Sequence, residues 1–228
     1  MPHYSSAQSL ESANTVSVRE LSIPPKAARS FQQGMEFLAK KDPAGSLPHF
    51  QRAIAAYPGY YEAYYRIGAA DLKLWRIADA EQAYRKSIEL SGGRYAQPLL
   101  GLGAILVDQE KFDGAEKVTR KALDLNPNAW TGQYYLAVAL FGLNRLDEAE
   151  LSVREALRQK LDFPQARLLL ADILSREKNY NALLVELDEY LNLDPDSLSG
   201  ARIKALRDRT QRMIVESESS AALVQPQP

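Results

Sequence analysis

The chain has 228 residues and almost balanced charge, with 28 Lys and Arg residues against 29 Asp and Glu residues. This balance excludes a global basic field of the kind that holds nucleic acid or an anionic membrane surface. The absence of cysteine excludes disulfides, thiolate nucleophiles and cysteine metal ligands, and the two histidines, His3 and His49, lie in unlike contexts. We therefore predict no enzyme, no cofactor, no metal site and no nucleic-acid partner.

The first 26 residues are predicted to form an N-terminal arm, mostly extended or disordered. Its opening stretch, MPHYSSAQSLESANT, lacks a basic segment followed by an apolar one, so no signal peptide is predicted. No stretch of the chain approaches the roughly 18 apolar residues of a membrane span. The protein is expected in the cytoplasm, or in the periplasm or outside the cell if this chain is a mature form.

Small residues recur after the arm at a fixed period. Within each period, two amphipathic segments place apolar side chains three and four residues apart, as helices do. No such helix pair can bury its apolar face alone, so neighbouring pairs must stack. The pattern therefore predicts a run of paired helices. The recurring small residues are Gly34, Gly68, Gly103, Ala137 and Ala171, spaced 34 or 35 residues apart.

Residues 61–94, YEAYYRIGAADLKLWRIADAEQAYRKSIELSGGR, resemble the tetratricopeptide repeat, a helix–turn–helix unit of 34 residues. They carry the family's aromatic residue at position 4 (Tyr64), Ile67–Gly68 at positions 7 and 8, and Ala80 and Tyr84 at positions 20 and 24. The resemblance implies an all-α fold, a right-handed α-solenoid of about five helix–turn–helix units, with Tyr64 in the core. The predicted units are 27–60, 61–94, 96–129, 130–163 and 164–197.

Two regions depart from the family pattern. Gly92 stands where proline is expected and Tyr95 is an extra residue, so we expect any change of solenoid geometry at the junction LSGGRYAQP. In the first unit, Pro43 and Pro48 predict a late start of the second helix, with Ser46 near its N-cap.

The C-terminal segment SLSGARIKALRDRTQRMIV predicts one more amphipathic helix, a capping helix over 198–215. We expect it to cover the end of the fifth unit with Ala201, Ala205 and Leu206, because a terminal repeat needs a polar-backed cap. The remaining residues, 216–228, are predicted to be a disordered tail.

The family resemblance also implies a binding site, since positions 2, 5, 9, 12 and 13 of each first helix line a concave groove. By this correspondence the groove is apolar and aromatic over four units and turns polar in the fifth, at Asp172 and Arg176. Positions 5 and 12 also pack against neighbouring helices in this family, so packing and binding remain alternatives for them. The candidate groove residues are Phe31, Met35, Tyr65, Leu72, Lys73, Leu100, Val107, Tyr134, Val138 and Phe141.

The resemblance implies a non-catalytic protein–protein interaction scaffold that binds a peptide or partner segment in this groove. An alternative is a structural or self-assembling part of a larger, envelope-associated bacterial complex, because VSVREL and IPPKA before the first unit are similar to segments of exported repeat proteins. A third is RNA binding, which the period and the charge disfavour. The arm or the tail could also fill the groove in cis.

One specialised role is tested directly by the family's own motif. Repeats that bind chaperone C-termini hold a carboxylate with Lys, Asn and Arg at set positions of three units. This chain has other residues there, so no carboxylate clamp is predicted. The corresponding residues are Phe31, Met35, Arg66, Gln97 and Gly101.

Overall fold

The computed structural model describes residues 23–194 and 200–224, with side chains described up to residue 216 in the last helix. Over these ranges the chain is helical and contains no strand, which confirms the predicted all-α helical-repeat fold. Residues 1–22 of the predicted arm lie outside the described ranges. The helices are α1 Pro25–Ala39, α2 Pro43–Ala56, α3 Tyr61–Lys73, α4 Ile77–Leu90, α5 Ala96–Asp108, α6 Phe112–Leu125, α7 Trp130–Gly142, α8 Leu146–Gln159, α9 Pro164–Arg176, α10 Tyr180–Leu193 and α11 Gly200–Val224.

The chain divides into two compact units, Met1–Ser91 and Gly92–Pro228. The division falls at the junction that the sequence singled out. Gly92 and Gly93 both have positive φ, 60° and 68°. Only glycine adopts the left-handed conformation at two consecutive positions with little cost in energy. The glycine that replaces the expected proline therefore has a local conformational role.

Helices pair in sequence order within each unit. In the first, α1 packs on α2, α2 on α3, and α3 on α4. In the second, α5 pairs with α6, α7 with α8 and α9 with α10, while α5 also contacts α7 and α7 contacts α9. We call α1, α3, α5, α7 and α9 the A helices and their partners, α2, α4, α6, α8 and α10, the B helices.

Every A helix ends in the same turn. At the second repeat, the N–H of Trp75 donates to the carbonyl of Leu72 at 3.1 Å, and that of Arg76 donates to the carbonyl of Asp71 at 2.9 Å. These are the two hydrogen bonds of a Schellman motif, in which one residue is left-handed. The motif fixes position 11 of each repeat at the same place in its turn. The left-handed residues, with φ between 56° and 60°, are Lys41, Trp75, Glu110, Asn144 and Lys178.

The small residues at position 8 let each A helix approach its B helix closely. A Cβ added to Gly68 would lie 2.7 Å from the ring of Tyr84, at position 24 of the same repeat. The fourth repeat has the fully buried pair Ala137 and Val153 instead. The alanine methyl there takes up part of the space that the Tyr84 ring fills in the second repeat.

This complementarity predicts that Gly68→Ala lowers the free energy of unfolding by about 1–3 kcal/mol, because the added methyl overpacks Tyr84. The double variant Gly68→Ala, Tyr84→Val reproduces the pair of the fourth repeat. Urea unfolding of the four proteins in this cycle should give a favourable coupling of about 1 kcal/mol or more. Strictly additive costs would show that positions 8 and 24 do not share one space.

The second helix of the first repeat starts earlier than predicted. It begins at Pro43, not near Ser46, because the Asp42 side chain accepts a hydrogen bond from the Gly45 N–H at 2.8 Å and caps it. Pro43 sits at the first helical position, where its missing N–H costs nothing. Ser46 is buried inside the helix and donates its hydroxyl to the Pro43 carbonyl at 2.7 Å. Pro48 removes one helical hydrogen bond and the helix continues through it.

The capping helix packs on α10 with a different face from the predicted one. Ala201, Ala205 and Leu206 are exposed, so that prediction was wrong. The buried stripe instead contains Thr210 and Ile214. This stripe was not predicted from the sequence because it includes polar residues, but their polar groups form hydrogen bonds within the helix. The Thr210 hydroxyl, for example, donates to the Leu206 carbonyl at 2.9 Å.

The end of the capping helix also differs from the predicted boundary. The sequence pattern predicted that this helix ends at residue 215 and that residues 216–228 form a disordered tail. In the structure, α11 continues to Val224. The segment ESESSAALV contains no glycine or proline, and proline first appears at Pro226. Nothing in the backbone chemistry of this segment therefore stops the helix at residue 215.

Candidate functional site

The A helices of the second unit present a common face, because α5 contacts α7 and α7 contacts α9. We define the A face as the side chains of α5, α7 and α9 at the predicted groove positions. The candidates Leu100, Val107, Tyr134, Val138 and Phe141 all belong to it, and all five are half-buried.

Part of each A-face side chain supports the wall itself. A Cβ added to Gly132 would lie 2.9 Å from Leu100, so Leu100 of α5 rests on the backbone of α7. Tyr134, Val138 and Phe141 pack with one side against the buried core of the second unit. Each of these side chains also keeps part of its surface exposed. The side chains for which the sequence left packing and binding as alternatives thus pack against neighbouring helices and stay partly exposed.

An aromatic cluster lies at the start of α7. Phe163 contacts Trp130 and Tyr134 edge to face, with ring centroids 4.9 and 4.8 Å apart. The ammonium group of Lys160 lies 4.3 Å from the centroid of the Trp130 ring, in a cation–π arrangement. Sequence reasoning missed Trp130 and Phe163. The available signal was their place at the first and last positions of one repeat, which meet in space.

Charged groups border the apolar part of the A face. Burial raises the pKa values of Tyr134 and Tyr135, and the nearby Asp108 carboxylate on α5 raises both further. Burial also raises the pKa of Asp172 on α9, an effect that Arg176 opposes. The Arg176 guanidinium lies 3.9 Å from the centroid of the Phe141 ring. Hydrogen-bonding groups of both charges thus flank an aromatic and aliphatic strip.

In the first unit, two of the candidate groove residues pack against aromatic side chains of their own repeats. Phe31 stacks on Tyr60 at 4.9 Å and contacts Phe50 at 5.4 Å, which places it against the core of the first repeat. Tyr65 stacks on Tyr84 at 6.0 Å. Of the other candidates, Met35 and Leu72 are half-buried and Lys73 is exposed.

An ion-pair network on the B helices joins α6 to α8 in the second unit. Arg145 contacts Glu116 at 2.7 Å and Glu148 at 2.7 Å, and Arg120 contacts the same two carboxylates at 2.8 and 3.1 Å. Burial alone would raise the pKa of Glu116, but hydrogen bonds from Arg120 and Arg145 outweigh it and hold the pKa below its ordinary value. The network adds ion pairs between repeats to the packing of α6 and α8 against their neighbours.

Glu116→Gln is expected to reduce the free energy of unfolding by about 1 kcal/mol at pH 7, since it weakens this network. Because the folded-state pKa of Glu116 is lowered, its stabilising contribution is present above the unfolded value of about 4.3 and is lost as the pH falls. Urea midpoints at pH 7, 5 and 3.5 should therefore converge for the two proteins. Glu89→Gln, in the exposed pair with Lys86, is the control and should have a smaller effect at pH 7. A difference that stays constant between pH 7 and pH 3.5 would contradict the assignment.

In residues 23–194 and 200–224, no helix is long and apolar enough to cross a membrane. The same residues contain no group of three or more His, Asp or Glu side chains placed to hold a metal ion.

Comparisons with solved structures agree with the helical-repeat fold. The pilF protein of Pseudomonas aeruginosa is 18% identical, with a TM-score of 0.70 over 86% of this chain and 88% of that chain. YrrB, described as a TPR protein with an unusual peptide-binding site, is 19% identical, with a TM-score of 0.66 over 78% of this chain and 92% of that chain. At such identities the likeness shows the fold alone.

Sequence comparisons give a family. DnaJ homolog subfamily C member 3 of Gallus gallus is 26% identical over 206 residues, which are 90% of this chain and 35% of that protein. The chain thus spans about a third of the length of this curated relative. The sequence model of the tetratricopeptide repeat matches residues 31–95 and 100–160, more than half of the chain. The chain therefore belongs to the tetratricopeptide repeat family, whose fold serves as a scaffold for protein–protein interaction.

Proposed function

We propose that the protein is a non-catalytic scaffold whose A face in the second unit binds a segment of a partner protein. The observation that carries this proposal is the strip of half-buried aromatic and aliphatic side chains that runs along α7 between α5 and α9. Rigid aromatic side chains dominate the energy of protein interfaces, because they bury much area and lose little entropy.

The chemistry of the strip suggests what the segment contains. Val138 and Phe141 offer contact to apolar side chains, and Tyr134 adds a phenol that a backbone carbonyl could accept from. Asp108 and Asp172 offer carboxylates to N–H donors on either side of α7, while Arg176 is placed to meet a carbonyl or carboxylate. A short segment with two or three apolar side chains, bound through its backbone at the edges, fits this arrangement.

The first unit has a smaller part in the proposal. Met35, Leu72 and Lys73 are proposed to extend the contact of the A helices there, whereas Phe31 and Tyr65 serve mainly to pack their own repeats. For the domain organisation we propose the five predicted repeats, since each contains one A helix and one B helix.

The proposal is tested by selecting binders from a phage-displayed library of random dodecapeptides on the immobilised full chain. The expected result is an enriched group of peptides with at least two aromatic or aliphatic residues at a recurring spacing. These peptides should bind the soluble protein in a fluorescence anisotropy titration. If repeated selections enrich no peptide, or only peptides that bind the control variant Leu151→Ala and an A-face variant equally, the proposed site is wrong.

A further inference from the structure

A cavity of about 930 Å³ lies within the first unit, between α2, α3 and α4. Its wall combines apolar side chains, Leu47 of α2 and Tyr64 and Ile67 of α3, with the carboxylates of Asp71 and Asp79. Tyr64, expected in the core, is only half-buried because it borders this space. Tyr64, Ile67 and Asp71 form a different stripe of α3 from the groove candidates Tyr65 and Leu72, so the cavity is separate from the predicted groove.

The cavity lies where one repeat lacks a core side chain. Asp71 occupies position 11, and its side chain is only 7% exposed. The other four repeats have an apolar residue there, and in the second unit these leucines are at most 4% exposed. An aspartate in this place is shorter than leucine and charged, so it leaves space and a carboxylate whose ion pair is the 3.7 Å contact with Arg76. The equivalent residues are Phe37, Leu106, Leu140 and Leu174.

A second carboxylate faces the first. Asp79 occupies position 19, where the first and third repeats have glycine. Cβ atoms added to those glycines, Gly45 and Gly114, would lie 2.5 Å from Phe37 and 3.5 Å from Leu106, so positions 11 and 19 meet across the turn. Only the second repeat has an acidic residue at both positions.

Few groups of the protein stabilise the negative charge of the Asp71 carboxylate. Among residues 23–194 and 200–224, no hydrogen bond to it is present, and its ion pair with Arg76 is 3.7 Å long, with Arg76 half exposed. Burial raises the pKa of Asp71, Asp79 raises it further, and Arg76 opposes them. Asp71 also lies in the last turn of α3, where the helix dipole disfavours an anion.

The remaining charges of the cavity wall are already paired. Arg85 contacts Glu81 at 2.8 Å and Lys86 contacts Glu89 at 2.8 Å. The wall therefore has two carboxylates, Asp71 and Asp79, against one loosely held cation, Arg76.

From this geometry we infer that the cavity of the second repeat is a receptor for a lysine side chain of a partner protein. The ammonium group binds Asp71 and Asp79 together, because its three N–H donors are able to reach two carboxylates at once. The aliphatic stem lies along Leu47 and Ile67. The volume suits a side chain with part of its flanking peptide, since ligand pockets typically measure about 300–1,000 Å³.

The inference is tested on the full chain with the pentapeptide acetyl-Gly-Gly-Lys-Gly-Gly-amide and its norleucine counterpart, which has the same length without the charge. In a titration followed by ¹H–¹⁵N NMR, the lysine peptide should give saturable shifts of amides on α3 and α4. The norleucine peptide should give none. Asp71→Asn should weaken binding roughly tenfold or more, because it removes the charge of the buried carboxylate and keeps the shape.

A second variant strengthens the test, because misfolding could not produce its result. Arg76→Gln removes the cation that competes for Asp71 and should tighten binding of the lysine peptide. Asp113→Asn, an exposed acid on α6, is the matched control and should leave binding unchanged. Equal shifts with the lysine and norleucine peptides, no saturable shift, or unchanged binding in both Asp71→Asn and Arg76→Gln would overturn the inference. None of these outcomes bears on the A face of the second unit.

Discussion

Leu140→Asp is expected to lower the free energy of unfolding by at least about 4 kcal/mol, while Asp71→Leu is expected to raise it by about 2 kcal/mol. The two changes exchange the residues found at position 11 of the second and fourth repeats. Leu140 is fully buried, so its replacement removes core packing and leaves a charge without a partner. Asp71→Leu has the opposite effect on the free energy of unfolding, because a leucine fills the space and removes a buried charge.

Urea unfolding followed by far-UV circular dichroism measures both changes. In a Trp75→Phe background, the fluorescence of Trp130 reports the second unit, which contains Leu140 but not Asp71. Leu106→Asp is the matched control for Leu140 and should show a similar loss. A loss of stability in Asp71→Leu would mean that the Asp71 carboxylate contributes to folding, and would contradict its assignment as a binding group held at a cost to stability.

The second large effect concerns binding at the A face. Tyr134→Ala and Phe141→Ala should each weaken a peptide selected for this face by roughly 30-fold, because each removes an aromatic contact at the centre of the interface. Asp108→Asn should have a smaller effect, since it alters one exposed group at the edge. Fluorescence anisotropy with a labelled peptide gives the dissociation constants.

Two controls separate binding from folding in this experiment. Both aromatic side chains also pack against the core, so the circular dichroism spectrum and urea midpoint of each variant are measured first. Leu151→Ala removes a leucine that is 71% exposed on α8 and should not change affinity. If well-folded Tyr134→Ala and Phe141→Ala bind as tightly as the parent protein, the peptide lies elsewhere.

Much of the fold was predictable because the sequence repeats with a period of 34 or 35 residues. Small residues 34 or 35 apart located each A helix against its B helix, and the structure shows the same period in the left-handed residues that end the A helices. Those turn residues were not predicted, since Lys41, Trp75 and Glu110 have no sequence preference for positive φ. The Schellman hydrogen bonds of the repeat impose the conformation on whichever residue falls there.

Failures of prediction have local physical causes. In α2, two prolines suggested a delayed start, but the Asp42 cap and the place of Pro43 in the first turn compensated for them. In α11, an apolar face was assigned from alanines and a leucine, while the buried stripe includes Thr210, whose hydroxyl is satisfied within the helix. Proline content was misleading in α2 and hydrophobicity was misleading in α11.

The candidate sites were predictable only in part. The family correspondence located the apolar residues of the A face, but not the cluster of Trp130 and Phe163, which forms between the two ends of one repeat. Asp71 was visible in the sequence as the polar residue at an otherwise apolar position. Its meaning required the cavity and the facing carboxylate of Asp79, which depend on the packing of three helices.

The central claim is that the A face of the second unit is where a partner segment binds. Mapping a library-selected peptide on the ¹⁵N-labelled full chain by NMR tests it most directly. The account predicts that the largest amide shifts fall on α5, α7 and α9, around Leu100, Tyr134 and Phe141. Shifts confined to α6, α8 and α10, with α7 unchanged at saturating peptide, would contradict it.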